Sequence, residues 1–155
     1  MLRQILVLVG IFIIIALGAL IFSAVTGAGK KEIKIGEAIF KVRIYDNPAS
    51  RSLGLSGTKI LKEDEGMLFL FSEEEIQKFW MKDMKFPIDI IWIKGNTVVG
   101  IIMGAEPEPL VVSGAEPDYT IYSSPEPVDK VLEINAGLSQ RLGIRVGDTV
   151  VFSSF

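Results

Sequence analysis

Residues 79–93 read Phe-Trp-Met-Lys-Asp-Met-Lys-Phe-Pro-Ile-Asp-Ile-Ile-Trp-Ile, and the pattern of this stretch decides the fold. It holds both tryptophans of the chain and two of its five methionines. Two apolar runs flank a break at Asp83 to Pro87, which predicts two strands and a turn. Phe86 precedes a proline, so its backbone is pushed toward extended geometry. Alternation along the second run puts Ile88, Ile90 and Trp92 on one face and Asp89, Ile91 and Ile93 on the other. Both faces are mostly apolar, as in a strand covered on two sides.

Asp89 is the exception in that run. A carboxylate buried alone costs several kcal/mol or more, so it must be paired, hydrogen-bonded or protonated. Two readings stand side by side: a structural aspartate that ties down neighbouring backbone amides, and a ligand-facing carboxylate at the end of the strand.

Outward from this stretch, the N-terminal side falls into two parts. Residues 5–28 contain no charged side chain and are dominated by Ile, Leu, Val and Phe. About 20 apolar residues in a helix match the thickness of a bilayer's hydrocarbon core. A cleaved secretory signal has a shorter apolar region, about 7–15 residues, which favours an uncleaved anchor over residues 1–29. A short N-terminal tail before a larger domain places residues 30–155, a single soluble β-rich domain, outside the cytoplasm. The expected location is therefore the cell membrane, single-pass.

Within the domain, Glu32 to Tyr45 alternates as a β-hairpin around Gly36-Glu37. Asp46-Asn47-Pro48 is a helix start, closed by Gly54 and Gly57. Gly66 to Phe71 is a strand that is apolar on both faces. Beyond the central stretch, Gly95-Asn96 turns the chain into a strand over Thr97 to Met103. Residues 105–127 carry most of the prolines and read as a long loop with a short strand at Tyr119 to Tyr122; loops of this length are frequently binding surfaces or lids. Val131 to Ile134 is a strand, Ala136 to Leu142 a short helix, and Gly147-Asp148 a turn into a last strand, Thr149 to Phe152. The count of short strands predicts a mainly β fold, a compact sandwich or barrel-like domain with two short helices, preceded by one transmembrane helix.

Composition excludes several chemistries. The chain has no cysteine and no histidine. Disulfides, thiolate metal sites, imidazole metal sites and a Ser-His-Asp triad are all absent. A net charge of −3 provides no basic footprint for nucleic acid. No calcium-loop or phosphate-loop motif occurs, and the methionines read as core filler rather than a copper site. Neither a metal nor a cofactor is expected.

Several short motifs together resemble one family. They are Arg51-Ser52-Leu53-Gly54-Leu55, Gly66-Met67-Leu68-Phe69, Phe79-Trp80-Met81-Lys82, Pro87-Ile88-Asp89, Val131-Leu132-Glu133-Ile134 with Ala136-Gly137, and Gly147-Asp148. In this order they resemble the domain of unknown function 192 family, a widespread prokaryotic group. The resemblance implies a compact, mainly β fold, often behind an N-terminal signal or anchor, and no accepted activity.

The same motifs hold the charged residues that lie beside apolar runs, so the candidate ligand-binding residues are Arg51, Trp80, Met81, Lys82, Asp89 and Glu133. Arg51 either pairs with Asp89 or Glu133 or holds an anionic group at a pocket mouth. The leading expectation is a membrane-anchored binding module with a pocket around the Phe79–Asp89 stretch, whose ligand is a small molecule or an envelope protein. A structural or assembly protein acting through an envelope partner is the second expectation. A hydrolase on a cell-surface glycan or peptide is the third, with Asp89 and Glu133 as paired carboxylates and Trp80 as a stacking platform.

Overall fold

The computed structural model describes residues 31–55, 58–108 and 118–153. The apolar segment 5–28 lies outside them; among the described residues no helix is long and apolar enough to cross a membrane.

The domain is built on one curled sheet. Strands β1 (Lys31–Ile35) and β2 (Ala38–Tyr45) form the hairpin, turned at Gly36 with φ +59°. Helix α1 (Pro48–Leu53) follows, with Asn47 as its cap: the Asn47 side chain accepts from the Ser50 amide at 2.9 Å, and Pro48 opens the first turn. Through α1 the chain crosses over to β3 (Glu65–Glu75), which runs parallel to β2. Next come β4 (Lys78–Phe79), β5 (Ile88–Lys94), β6 (Thr97–Ala105), β7 (Tyr122–Ser123), β8 (Val128–Asn135), helix α2 (Leu138–Arg141) and β9 (Val150–Phe152).

Seven strands share the sheet in the order β6-β5-β8-β3-β2-β1-β9, and β4 pairs only with β7. Of the two expected forms, sandwich and barrel-like, the second is the nearer: one sheet curls into a half-barrel, and no second large sheet faces it among the described residues. The seven-stranded sheet curls until its two edge strands meet at one end, where Thr97 bridges Thr149 and the Val98 amide donates to the Asp148 carbonyl at 2.9 Å. A right-handed twist accumulated over seven strands brings the edges together in this way.

Each face of the curl buries its own core. Ile33, Phe40, Val42, Leu68, Ile91, Ile93, Leu132 and Ile134 pack on one face, closed by Leu138 and Ile144 from the α2 region. On the other, Met67, Phe69, Ile88, Ile90, Trp92 and Val131 pack under Leu55, Met81 and Met84. The alternation expected for β5 therefore holds, and its residues from Ile88 to Ile93 are all buried. The first apolar run of the central stretch behaves differently. Only Lys78 and Phe79 form a strand; residues 80–87 loop over the second core, with Asp83 in left-handed geometry at φ +56°.

Asp89 is wholly buried on the first face and fully satisfied. Its Oδ1 accepts from the Gly104 amide at 2.9 Å and the Gly137 amide at 3.0 Å. Its Oδ2 accepts from the Ser139 amide at 2.9 Å and from Ser139 Oγ at 2.6 Å. One carboxylate thus fixes β5, the end of β6 and the entry to α2. Replacing it with alanine leaves three backbone N–H groups without this acceptor, at about 1–3 kcal/mol for each that stays unsatisfied. Asp89→Ala should destabilise the domain by at least about 3 kcal/mol in urea unfolding. A loss under about 1 kcal/mol would show that these bonds are not holding the sheet to α2.

Candidate functional site

On the opposite face of the sheet the residues enclose a cavity of about 520 Å³. Its floor is Glu133 on β8, which lies in register between Met67 of β3 and Ile90 of β5. Alternation along β8 gives Leu132 and Ile134 to the first core and turns Glu133 to the second face, among otherwise apolar side chains. The walls are aromatic and aliphatic: Phe69 and Phe71 two residues apart on β3, Phe79 on β4, and Leu55 and Met84 from the loops. Arg51, Lys78, Trp80 and Lys82 line it closer to solvent.

Aromatic contacts fix the walls. Tyr45 meets Phe69 with ring centroids 5.5 Å apart, Phe69 meets Phe79 edge-on at 5.0 Å, and Phe79 meets Trp92 edge-on at 5.6 Å. Such pairs add about 0.5–1.5 kcal/mol each beyond area burial and hold the rings in place. Gly54 borders the cavity with φ +51° and ψ −141°, a conformation that only glycine adopts readily.

Polar groups set the chemistry. Glu133 is only 5% exposed, and its Oε2 has no hydrogen-bond partner. Burial pushes its carboxyl pKa up to about 8. At neutral pH the group is mainly a neutral acid, able to donate one hydrogen bond into the cavity. Arg51 is held by carbonyls, not by either carboxylate proposed for it: its Nη1 donates to Asp46 O at 2.9 Å and Leu70 O at 2.8 Å. Its guanidinium carbon lies 5.0 Å from the Phe71 ring centroid. Lys82 Nζ stands 5.5 Å from the Trp80 ring centroid and 5.6 Å from that of Tyr119. Glu108 accepts from the Thr120 amide and hydroxyl.

Of the residues singled out from sequence, Arg51, Trp80, Lys82 and Glu133 come together at this cavity. Met81 is buried in the core beneath it, and Asp89 faces the other side of the sheet. Asp89 and Glu133 project from opposite faces of adjacent strands, so the two carboxyls do not flank one bond. Phe69, Phe71, Gln77 and Lys78 were missed. The two phenylalanines sit at i and i+2 of a predicted strand, and that spacing was the available signal. Among the described residues no group of three Asp or Glu side chains is placed to hold a metal ion.

Comparison with known proteins places the chain in a family. The DUF192 model, described as Uncharacterized ACR, matches residues 31–152, and the chain belongs to that family. Among solved structures it is similar to a protein from Sinorhizobium meliloti 1021 described as a candidate transcription regulator. That match has 31% identity and a TM-score of 0.68, and covers 79% of this chain and 92% of that one. It is also similar to a protein of unknown function from Novosphingobium aromaticivorans DSM 12444, at 31% identity and a TM-score of 0.68, covering 77% and 83% of the two chains. No curated protein matches.

The state of Glu133 links stability to pH. The folded carboxyl titrates near 8 against about 4.5 unfolded, so above 4.5 the folded state binds more protons than the unfolded one. Stability is then greatest below pH 4.5 as far as this group is concerned, and falls until pH 8. The loss is on the order of 3 kcal/mol by pH 7. Glu133→Gln should flatten that slope in urea titrations between pH 5 and pH 8. Parallel slopes for variant and parent would rule out Glu133 as the source.

Proposed function

We propose that this protein is a membrane-anchored, extracytoplasmic module that binds a small molecule in the cavity floored by Glu133. The anchor rests on the uncharged segment 5–28. The observation that carries the binding reading is a buried carboxyl with an unpartnered oxygen, on a residue that lines an aromatic-walled space. An unsatisfied buried polar atom costs about 1–3 kcal/mol, and a fold stabilised only by packing gains nothing by keeping one. A largely apolar pocket with a few convergent polar groups is the usual form of a small-molecule site.

A second reading, docking to an envelope protein, has its own support. Trp80 and Ile121 adjoin in sequence the Phe79–Tyr122 pair that ends the short β4–β7 ladder, and are 56% and 49% exposed. Large exposed apolar neighbours of this kind recur at partner interfaces. The regulator description of the Sinorhizobium protein is not extended to this chain, whose net charge of −3 offers little to a phosphate backbone.

The test is a thermal-shift screen of the purified chain in detergent against sugars, nucleotides, lipid head groups, peptides and small organic acids and bases. A ligand at about 100 times its Kd stabilises by about 2.7 kcal/mol, which raises Tm by roughly 5 °C in a domain of this size. The shift should disappear in Phe79→Ala, which opens the wall, and persist in Val151→Ser, which lies on the far edge strand. If no compound moves Tm while the parent self-associates in light scattering and Trp80→Ser abolishes that, docking replaces ligand binding.

A further inference from the structure

The geometry points to an amphipathic anion as the ligand: a carboxylate held by Lys78 and Lys82, an apolar body along Phe69 and Phe79, and a hydrogen-bond acceptor meeting Glu133. This rests on the binding reading above and specifies its chemistry. Three observations support it. Among the described residues, the charged side chains that line the cavity are Arg51 from α1, Lys78 from β4, Lys82 and Asp83 from the loop at 80–87, and Glu133 from β8. The flanking strands β3 and β5 present only apolar Met67 and Ile90 opposite Glu133. The Asp83 carboxylate lies 2.6 Å from Lys85 Nζ, whereas Lys78 and Lys82 have no carboxylate partner among the described residues. Cations therefore outnumber anions around the space, and a cleft lined by one sign of charge favours a ligand of the other.

Second, the aromatic faces that would receive a cationic ligand already carry the protein's own cations. Arg51 stacks on Phe71, and Lys82 stands over Trp80 and Tyr119. An amine would compete with these, whereas an anion adds to them. Third, polarity is graded with depth. Lys78 and Trp80 are exposed, the phenylalanine walls are partly or wholly buried, and Glu133 is almost fully buried. A ligand that matches this order has its charge outermost and a neutral polar group innermost. The inner group is an acceptor, because a carboxyl with its pKa near 8 holds its proton at neutral pH.

The experiment is calorimetric titration of the full chain in detergent with 4-acetylbenzoate and 3-phenylpropanoate, each beside the alcohol and the amine of the same skeleton. Carboxylates should bind at least about tenfold more tightly than their partners, and Lys78→Gln with Lys82→Gln should remove that preference. For 4-acetylbenzoate, affinity should fall about tenfold between pH 6 and pH 9 as Glu133 ionises, and Glu133→Gln should bind equally at both. Alcohols or amines binding as well as the carboxylates would overturn the anion assignment and leave the cavity as the site. Loss of the preference without the pH effect would overturn the acceptor at Glu133. If none of the six compounds binds the parent, this inference falls, and the binding reading then stands or falls with the wider thermal-shift screen.

Discussion

The architecture depends on the Asp89 carboxylate and its four donors. Three come from one turn, the Gly137 amide and the Ser139 amide and hydroxyl, and the fourth is the Gly104 amide at the irregular end of β6. The β5–β6 register shifts between Ile88 and Ile90, next to that contact. A shift of this kind leaves backbone groups without ladder partners, and the carboxylate takes up one of them. It also joins α2, which has only four residues and no side-chain cap, to the sheet. A helix that short has almost no intrinsic stability in water. What keeps it in place is this anchor and the burial of Leu138 and Ser139.

Glu133, on the neighbouring strand, is the opposite case. Both carboxyls are nearly inaccessible, and they are separated by the thickness of one sheet. Asp89 meets donors from β6 and α2, and Glu133 meets apolar rings and a cavity. The difference arises from what each face of the curl has against it. The first face is closed by backbone that turns its amides inward, whereas the second is covered by side chains from loops that leave a space. A buried charge without a partner is expensive enough that the group keeps its proton instead. The protein therefore carries one carboxylate that holds the fold and one carboxylic acid that stands unpaired beside a cavity.

Much of this was legible in the sequence where local rules apply. The β1–β2 hairpin, the Asn47 cap with Pro48, the alternation of β5 and the Gly95-Asn96 turn all follow from residue spacing and turn chemistry. The structural reading of Asp89 was among the options, but its donors lie 15, 48 and 50 residues away, beyond any local pattern. The choice between sandwich and curl depends on which distant strands pair, and alternation is identical in both. Residues 80–82 looked like strand because Trp80 and Met81 are large and apolar. Tertiary packing overrode that: the segment crosses the second core, burying Met81 and leaving Trp80 exposed. The site was half legible for a related reason. Charged residues beside apolar runs are visible in a sequence, but the face each takes is fixed only once the strands are paired.

The cavity's walls suit recognition because they are held by the fold and not by a ligand. Phe69 and Glu133 stand on central strands, and Phe79 is wedged edge-on between Phe69 and Trp92. Side chains already fixed in this way lose little conformational entropy on binding, a loss that is otherwise about 0.5–1.5 kcal/mol for each ordered side chain. Lys78, Lys82 and Trp80 stand nearer the solvent. Gly66 sharpens the point. A methyl group there would lie 3.0 Å from Leu132 and 3.1 Å from the Glu133 carbonyl, so β3 and β8 are already at closest approach behind the floor. The strand behind the floor therefore has no room for a side chain at this position, and glycine is what lets β3 pack there beside β8.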